Sequence, residues 1–226
     1  RVVTEVHRVL RCTFNVAVKW EYISNNPFLK VDTPKHDYEK REIWTANQIA
    51  KALEVCEDPK LSIAIQLAFA CSLRIGEVLG LTWDNVHINE DDFACGDTHI
   101  YIKQQLERAR MDAIEKLNNK DVLFIFPQFE KRKNATRLIL KTPKTDSSVR
   151  KIWLPNTLAS FLKQWKEDQS KYKEAYGDDY HDYNLVICQP NGIPCDGSII
   201  RKGLSKLEKE AELPHVVFHS WRHTST

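Results

Sequence analysis

The sequence predicts a mainly α-helical protein with a small antiparallel β-sheet, an α+β fold. Apolar residues recur at helical spacing in four long segments, residues 2–20, 46–57, 158–174 and 198–212. Composition rich in β-branched and aromatic residues marks three shorter, strand-like segments, residues 98–103, 137–142 and 149–154. A hydrophobic fraction of 42% and a charged fraction of 28% over 226 residues are typical of a globular chain that buries a sizeable core.

The first helix is expected to end at the breaker Asn25-Asn26-Pro27, which a charged segment with little apolar content follows. We therefore expect three parts: the end of a helical domain at residues 1–31, a linker at 32–42 and a second domain at 43–226. Because the chain begins with Arg1, we also expect it to be a fragment of a longer protein.

The second domain should open with a helix that Thr45 caps, followed by a helix over residues 60–71 and a third around Arg74. The strand-like segments 137–142 and 149–154 flank Pro143 to Ser148, whose composition is that of a turn. We therefore expect a β-hairpin with Lys144 at or near its tip. The pattern assigns no role to residues 107–134, which interrupt this sheet.

Composition also restricts the cellular setting. No segment is apolar over the length that crosses a bilayer, and no signal peptide is visible, so no membrane contact is expected. The six cysteines include no C-x-x-C pair, and several lie in apolar context. This pattern favours free thiols in a reducing cytoplasm over a disulfide framework or a zinc site.

The net charge of +2 is weak support for a nucleic-acid partner, but the basic residues are unevenly distributed. Between residues 130 and 151, eight basic residues oppose only Glu130 and Asp146, which gives a local charge of +6. Such a concentration suits a polyanion, although a solvated hairpin surface would have the same composition. The candidate DNA contacts in this window are Lys131, Arg132, Lys133, Lys141, Arg150 and Lys151.

Three basic sites differ from ordinary surface charges. Arg74 and Glu77 lie in an apolar segment, where Arg74 must be paired or must face a cleft, since an unpaired buried charge costs several kcal/mol. Lys144 lies in the predicted turn, and His219 and Arg222 share one face of a helical turn. Two arginines, a lysine and a histidine suit a phosphate in a pentavalent transition state, because arginine grips two oxygens while lysine or histidine moves a proton.

In order and context these residues resemble the tyrosine recombinases, the phage-integrase family, and most closely the integrases of Gram-positive conjugative transposons. The family's first box, R-x-x-E-x-x-x-L-x-W-x-D/N, is matched by Arg74, Glu77, Leu81, Trp83 and Asn85. Its lysine run, K-T-x-x-S-x-R, is matched by Lys144, Thr145, Ser148 and Arg150, which favours Lys144 over the nearby Lys141. Its second box, H-x-L-R-H-T, is matched by His219, Arg222, His223 and Thr224, with Trp221 in place of leucine. Ser72 replaces a glycine that is common before the first arginine.

The resemblance implies a catalytic domain at residues 43–226, preceded by the end of a helical core-binding, DNA-binding domain at 1–31. The enzyme would be a site-specific DNA recombinase that integrates and excises a mobile element through a 3′-phosphotyrosine intermediate. Its partners would be double-stranded DNA at element ends and target sites, further copies in a tetramer on two DNA sites, and an accessory excision factor. It would act in the bacterial cytoplasm, without a metal or other cofactor, because the two arginines would neutralise the phosphate charge.

The resemblance also implies a role for each matched residue. Arg74 and Arg222 would clamp the non-bridging oxygens of the scissile phosphate. His219 would assist proton transfer at the nucleophilic tyrosine, and Lys144 would protonate the departing 5′ oxygen. The supporting residues would be Glu77 and His223.

The nucleophile itself departs from the family pattern. The family's tyrosine lies downstream of the second box, whereas all seven tyrosines of this chain precede His219. We therefore expect the catalytic domain to be truncated before its nucleophile, and the chain as given to bind DNA without cleaving it.

Three alternative interpretations stay open. A metal hydrolase would use His215, His219 and His223, which a continuous helix would align, although the glutamate of an H-E-x-x-H motif is absent. A non-catalytic DNA-binding or architectural protein would share the basic window, but it gives no reason for Arg74 in an apolar helix. A type IB topoisomerase uses related residues and acts alone rather than as a tetramer.

Overall fold

A computed structural model describes residues 2–32, 42–129, 135–143, 145 and 148–223, with only the backbone of His219, Arg222 and His223. The chain divides into two compact units, residues 1–41 and 42–226. None of the helices in these ranges has the length and apolar character that a bilayer crossing requires.

The first unit is built on helix α1, Val2–Lys19, as its apolar spacing predicts. A short 3-10 helix, Pro27–Lys30, follows the Asn-Asn-Pro breaker and is capped by Asn26. The Asn26 side chain accepts from the Phe28 N–H at 2.9 Å and donates to the Arg11 carbonyl at 3.0 Å. The breaker therefore both ends α1 and folds the chain back against it, with the Phe14 and Phe28 rings stacked 5.3 Å apart.

The second unit contains most of the helices. They are α2 Ala46–Val55, α3 Pro59–Cys71, α4 Ile75–Leu79, α5 Glu90–Cys95, α6 Met111–Lys116, α7 Asn156–Tyr176, α8 Gly197–Glu210 and a 3-10 helix at Phe218–His223. Thr45 caps α2 in a reciprocal capping box with Gln48, as predicted. Helix α3 is buried along most of its length, so it forms the centre of the core.

Within the described ranges, six strands form two antiparallel sheets. The strands are β1 Val86–His87, β2 His99–Ile102, β3 Gln105–Arg110, β4 Val122–Ile125, β5 Thr136–Lys141 and β6 Arg150–Trp153. The first sheet has the order β1-β2-β6 and the second the order β3-β5-β4. The predicted α+β class is confirmed, with two small sheets instead of one.

The predicted hairpin between β5 and β6 is wrong, because these two strands do not pair with each other. Strand β2 pairs with β6, with Ile102 opposite Arg150, and β3 pairs with β5, with Gln105 opposite Lys141. Strands β5 and β6 thus lie in different sheets, each paired with a strand from earlier in the chain. Turn composition marks where a chain leaves a strand, but it does not specify which strand becomes the partner. Lys144, the predicted tip, lies outside the described residues.

The segment after residue 107, to which the sequence assigned no role, builds the second sheet. It supplies most of β3, helix α6 and strand β4, and β4 pairs with β5 with Ile125 opposite Ile139. All six cysteines are free, as expected. Burial raises the pKa of Cys71, at the end of α3, to about 12, so this thiol stays protonated at neutral pH.

The terminal 3-10 helix is fixed into the core by aromatic packing. Trp221 is fully buried, and its ring lies 5.5 Å from that of Trp44 and 5.1 Å from that of Phe218. The Trp44 Nε1–H also donates to the Pro214 carbonyl at 2.9 Å. Tryptophan in place of the usual leucine therefore acts as a core residue that positions the helix on either side of it.

Replacing Gly80 by alanine is expected to lower the free energy of unfolding by about 1–3 kcal/mol, the usual range for overpacking. A Cβ at Gly80 would lie 2.7 Å from the Leu106 nitrogen and 2.8 Å from the Gln105 carbonyl carbon, so backbone would have to move. Gly197 is the matched control, since its Cβ would meet only side-chain carbons, at 3.8 Å and beyond. Urea unfolding of Gly80→Ala and Gly197→Ala tests this, and equal stabilities of the two variants would contradict it.

Candidate active site

The turn between α3 and α4 brings Arg74 to the surface of an otherwise apolar segment. Ser72 ends α3 in the left-handed conformation, with φ 52° and ψ 36°, which favours glycine and accounts for the glycine common at this position in the family. Arg74 follows in an extended conformation as the N-cap of α4. The side chain of Arg74 is 47% exposed. It forms an ion pair with Glu77 and also lines a cleft.

Glu77 is the buried partner that holds Arg74. Its side chain is 4% exposed, and it accepts from Arg74 Nη1 and from the Arg74 backbone N–H, both at 2.9 Å. Arg150, the first residue of β6, grips the same carboxylate with two nitrogens, Nη1 at 3.2 Å from Oε1 and Nη2 at 2.9 Å from Oε2. One buried carboxylate therefore joins two guanidinium groups that lie 76 positions apart in the sequence.

Electrostatics keep Glu77 ionised. Burial alone would raise its pKa, but the hydrogen bonds and charge of Arg150, together with the hydrogen bonds from Arg74, outweigh burial and hold the pKa below its ordinary value. The Glu77 carboxylate therefore stays negative at neutral pH and fixes both guanidinium groups.

Arg74 lies at the edge of an open cleft of about 450 Å³. The cleft is bounded by α4, by strand β3, by the start of α8 and by Phe218 of the terminal 3-10 helix. Among the side chains that the structure describes, the basic ones that line it are Arg74, Arg108 and Arg201. Arg108 also donates from Nε to Asp196 Oδ2 at 2.7 Å, so one cleft wall is an ion pair.

The second predicted box lies on this terminal helix. The 3-10 helix Phe218–His223 carries positions 219, 222 and 223, and it packs against α3, whose end leads into Arg74. Positions 219 and 222 are one 3-10 turn apart. The backbone thus places the helix that carries the second box against the helix that leads into the first. Thr224 and Lys144 lie outside the described residues.

The charged residues of the basic window are less available than their sequence suggests. Among the described ones, Lys141 pairs with Glu107, Arg150 with Glu77 and Lys151 with Asp97. Acidic residues distant in sequence therefore offset part of the local positive charge. The other candidates, Lys131, Arg132 and Lys133, lie outside the described residues, and contact of all six with DNA stays a prediction.

Sequence analysis missed a second basic surface, on α8. Four exposed cations share one side of this helix with two serines: Arg201, Lys202, Lys206 and Lys209. Arg201 also lines the cleft beside Arg74, so this surface continues from the candidate site. Spacings of one, four and three residues along a predicted helix were the signal that could have found it.

The histidines considered for a metal site do not share a helix. His215 precedes the 3-10 helix, and its Nδ1 is held by the Glu208 carboxylate at 2.9 Å. The other oxygen of Glu208 accepts the buried Val216 N–H at 2.9 Å. His215 and Glu208 thus fasten the segment that leads into the second box, which is the geometry of a structural clamp.

Replacing Glu208 by alanine is expected to lower the free energy of unfolding by about 1–3 kcal/mol, because it leaves the buried Val216 N–H without its acceptor. Glu208→Gln keeps an oxygen for this N–H and should retain most of the stability. His215→Ala is the control, since the His215 side chain is largely exposed. Chemical unfolding of the three variants gives the order, and a His215→Ala loss as large as that of Glu208→Ala would contradict it.

Comparison with known proteins shows which proteins this chain is similar to. No family model matches it. It is 28% identical to the tyrosine recombinase XerC-like protein of Caldanaerobacter subterraneus subsp. tengcongensis, over 99% of this chain and 54% of that protein. It is 23% identical to the ICEBs1 integrase of Bacillus subtilis, over 93% of this chain and 49% of that protein. The chain thus spans about half the length of these curated relatives.

Solved structures show the same fold. The Tn1549 transposon integrase in complex with a circular intermediate DNA superposes with a TM-score of 0.66 at 20% identity, over 97% of this chain and 63% of that one. A lambda integrase dimer bound to a COC′ core site superposes with a TM-score of 0.55 at 14% identity, over 98% and 64%.

In sequence and in fold the chain resembles the tyrosine recombinases, as its motifs predicted. Among these proteins it is similar to integrases of mobile elements, such as the ICEBs1 and Tn1549 integrases.

Proposed function

We propose that the protein containing this chain is a site-specific DNA recombinase that cleaves and rejoins strands through a 3′-phosphotyrosine intermediate. It would integrate and excise a mobile element in the bacterial cytoplasm. The observation that carries the proposal is Arg74, a half-exposed guanidinium held by a buried carboxylate at a cleft beside the helix Phe218–His223. In this proposal residues 1–31 belong to the core-binding domain and 43–226 to the catalytic domain.

Arg74 and Arg222 would bind the non-bridging oxygens of the scissile phosphate. Nη1 of Arg74 donates a hydrogen bond to the Glu77 carboxylate, which fixes the plane of the guanidinium before DNA binds. Negative charge grows on the phosphate oxygens as the fifth oxygen approaches phosphorus, and a preorganised cation stabilises that charge without reorganising. His223 would support the second box.

Proton transfer would fall to His219 and Lys144. His219 would assist removal of the proton from the attacking tyrosine hydroxyl, and Lys144 would give a proton to the departing 5′ oxygen. The P–O bond to that oxygen breaks as the bond to tyrosine forms, so the energy of the phosphodiester is kept for rejoining.

The attacking tyrosine would come from outside residues 1–226. None of the described tyrosines lines the cleft beside Arg74. Tyr180 is also a poor nucleophile, because burial raises its pKa and its hydroxyl lies 3.8 Å from Cys188 Sγ.

DNA would lie across the cleft and the exposed basic side of α8. Phosphate contacts by such cations make affinity fall steeply with salt. The Tn1549 and lambda integrase structures contain DNA, and one lambda integrase structure is a tetramer on a Holliday junction. These structures support DNA as the partner and a tetramer as the assembly. Two double-stranded DNA sites for the tetramer and an accessory factor for excision are proposed from the family resemblance alone.

The proposal is tested with the full-length protein and nicked DNA from the ends of its element, in EDTA. We expect a protein–DNA adduct that resists SDS, joined through a tyrosine beyond Thr226 and lost on substitution of Arg74. Tight binding without an adduct would instead make the protein an architectural DNA-binding protein. Relaxation of a supercoiled plasmid by single molecules, with adduct formation but without strand exchange, would make it a topoisomerase. Activity only with added zinc would restore the metal hydrolase interpretation.

A further inference from the structure

Arg150 connects two parts of the candidate site that the sequence treats separately. Its two terminal nitrogens hold the Glu77 carboxylate, and Nη1 also donates to the Ser148 carbonyl at 3.0 Å. The side chain of Arg150 is 28% exposed, less than that of Arg74. Its guanidinium is therefore directed at Glu77 and at the Ser148 carbonyl within the protein.

Ser148 belongs to a small hydrogen-bonded arrangement next to Lys144 in the sequence. Its N–H donates to the Thr145 carbonyl at 3.0 Å, and the hydroxyls of the two residues lie 3.0 Å apart. Thr145 directly follows Lys144. Arg150 thus fixes the end of the segment that contains Lys144 against the carboxylate that holds Arg74.

We infer that Arg150 is a positioning residue that joins the segment around Thr145 and Ser148 to the Arg74–Glu77 pair. Its function would be to place Lys144 relative to the arginine that binds the scissile phosphate. The inference rests on the proposed recombinase function. The DNA contact that the sequence suggested for Arg150 is the alternative role, and three of its five guanidinium N–H groups are already donated within the protein.

The effect of losing Arg150 should fall on one chemical step. Arg74 would keep its own two hydrogen bonds to Glu77, one of them through its backbone, whereas Ser148 would lose its guanidinium donor. Binding of the phosphate by Arg74 should therefore survive, and protonation of the 5′ oxygen by Lys144 should suffer. A positioned general acid contributes about 10²–10⁴-fold in rate, and we expect a loss near the lower end of that range.

The test compares two DNA substrates in single-turnover cleavage by the full-length protein. One substrate has the natural 5′-bridging oxygen, and the other has sulfur at that position. The phosphorus–sulfur bond breaks to give a thiolate, which leaves without a proton because thiols are far more acidic than alcohols. The variants are Arg150→Ala and Arg150→Lys. The second keeps a cation beside Glu77, so it preserves the fold if Arg150→Ala does not, but it lacks the planar fork.

Arg150→Lys is expected to cleave the oxygen substrate about 10²-fold more slowly than the wild type and the sulfur substrate at close to the wild-type rate. In a Lys144→Ala background it should have no further effect on the oxygen substrate, since both changes disable the same step. Arg110→Lys is the matched control, because Arg110 also holds a carboxylate through two nitrogens, that of Asp112 on the exposed surface.

Equal slowing on both substrates, or effects of the two substitutions that multiply, would overturn the inference and leave Arg150 a purely structural residue. A higher DNA dissociation constant with an unchanged cleavage rate would make Arg150 a DNA contact instead. Failure of the proposed function looks different from either result, because the wild type itself would then form no adduct with either substrate.

Discussion

Replacing Arg74 by lysine is expected to slow strand cleavage by about 10³-fold or more, while DNA affinity changes little. Lysine keeps the positive charge, but as a single ammonium it cannot bind Glu77 and present a second nitrogen to the phosphate at the same time. Affinity depends on many phosphate contacts, so one altered cation has a small share in it. Single-turnover cleavage and filter binding on the same DNA measure the two quantities.

The Arg110→Lys variant again supplies the control for a change of arginine to lysine away from the cleft. It should cleave and bind as the wild type does. A fall in affinity that accounts for the whole loss of activity in Arg74→Lys would mean that Arg74 is a DNA contact without a special share in the chemistry.

Replacing Glu77 by glutamine is expected to lower the free energy of unfolding by about 3 kcal/mol at pH 7. Removing one partner of a buried ion pair costs about 3–5 kcal/mol, and the partial exposure of Arg74 and Arg150 puts the loss at the lower end. Glu90→Gln is the matched control, since the Glu90 side chain is 92% exposed and its ion pair with Lys163, at 3.6 Å, lies on the surface, where such pairs contribute little to stability. Chemical unfolding of both variants measures the difference, which should be near zero for Glu90.

The Glu77 contribution should also depend on pH in a defined direction. The pKa of Glu77 in the folded protein lies below its ordinary value of 4.5, so folding favours the ionised form. The stabilisation is therefore fully present above pH 4.5 and is lost as the pH falls below it, through the folded pKa. The stability gap between the wild type and Glu77→Gln should narrow over that acidic range. A gap that stays constant or widens on acidification would show that the carboxylate charge is not what Glu77 contributes.

Sequence patterns predicted those features that neighbouring residues decide. Helical spacing found α1, α2, α7 and α8, and Thr45 marked the start of α2. The expectation that Arg74 is paired or faces a cleft followed from the cost of burying a charge among apolar residues. Each of these inferences needs only a short window of sequence.

Features that distant residues decide were not predictable in this way. Arg150 reaches Glu77 across 73 residues, and nothing in its immediate sequence indicates a buried partner. The pairing of β5 with β3 and of β6 with β2 depends in the same way on strands far from the turn. Three acidic residues from other elements also pair with cations of the basic window, which a charge count over that window does not register.

The contacts of Trp44 have a consequence for the order in which the second unit folds. Trp44 lies just before α2, yet its indole donates to Pro214, 170 residues later, and its ring packs on Trp221. Contacts that close so long a loop form late, because the chain entropy must be lost before they stabilise anything. During synthesis the helix that carries positions 219 and 222 can dock only after nearly the whole unit has left the ribosome. The two arginine boxes are therefore kept apart until the rest of the fold exists, and a nascent chain does not assemble the proposed phosphate site.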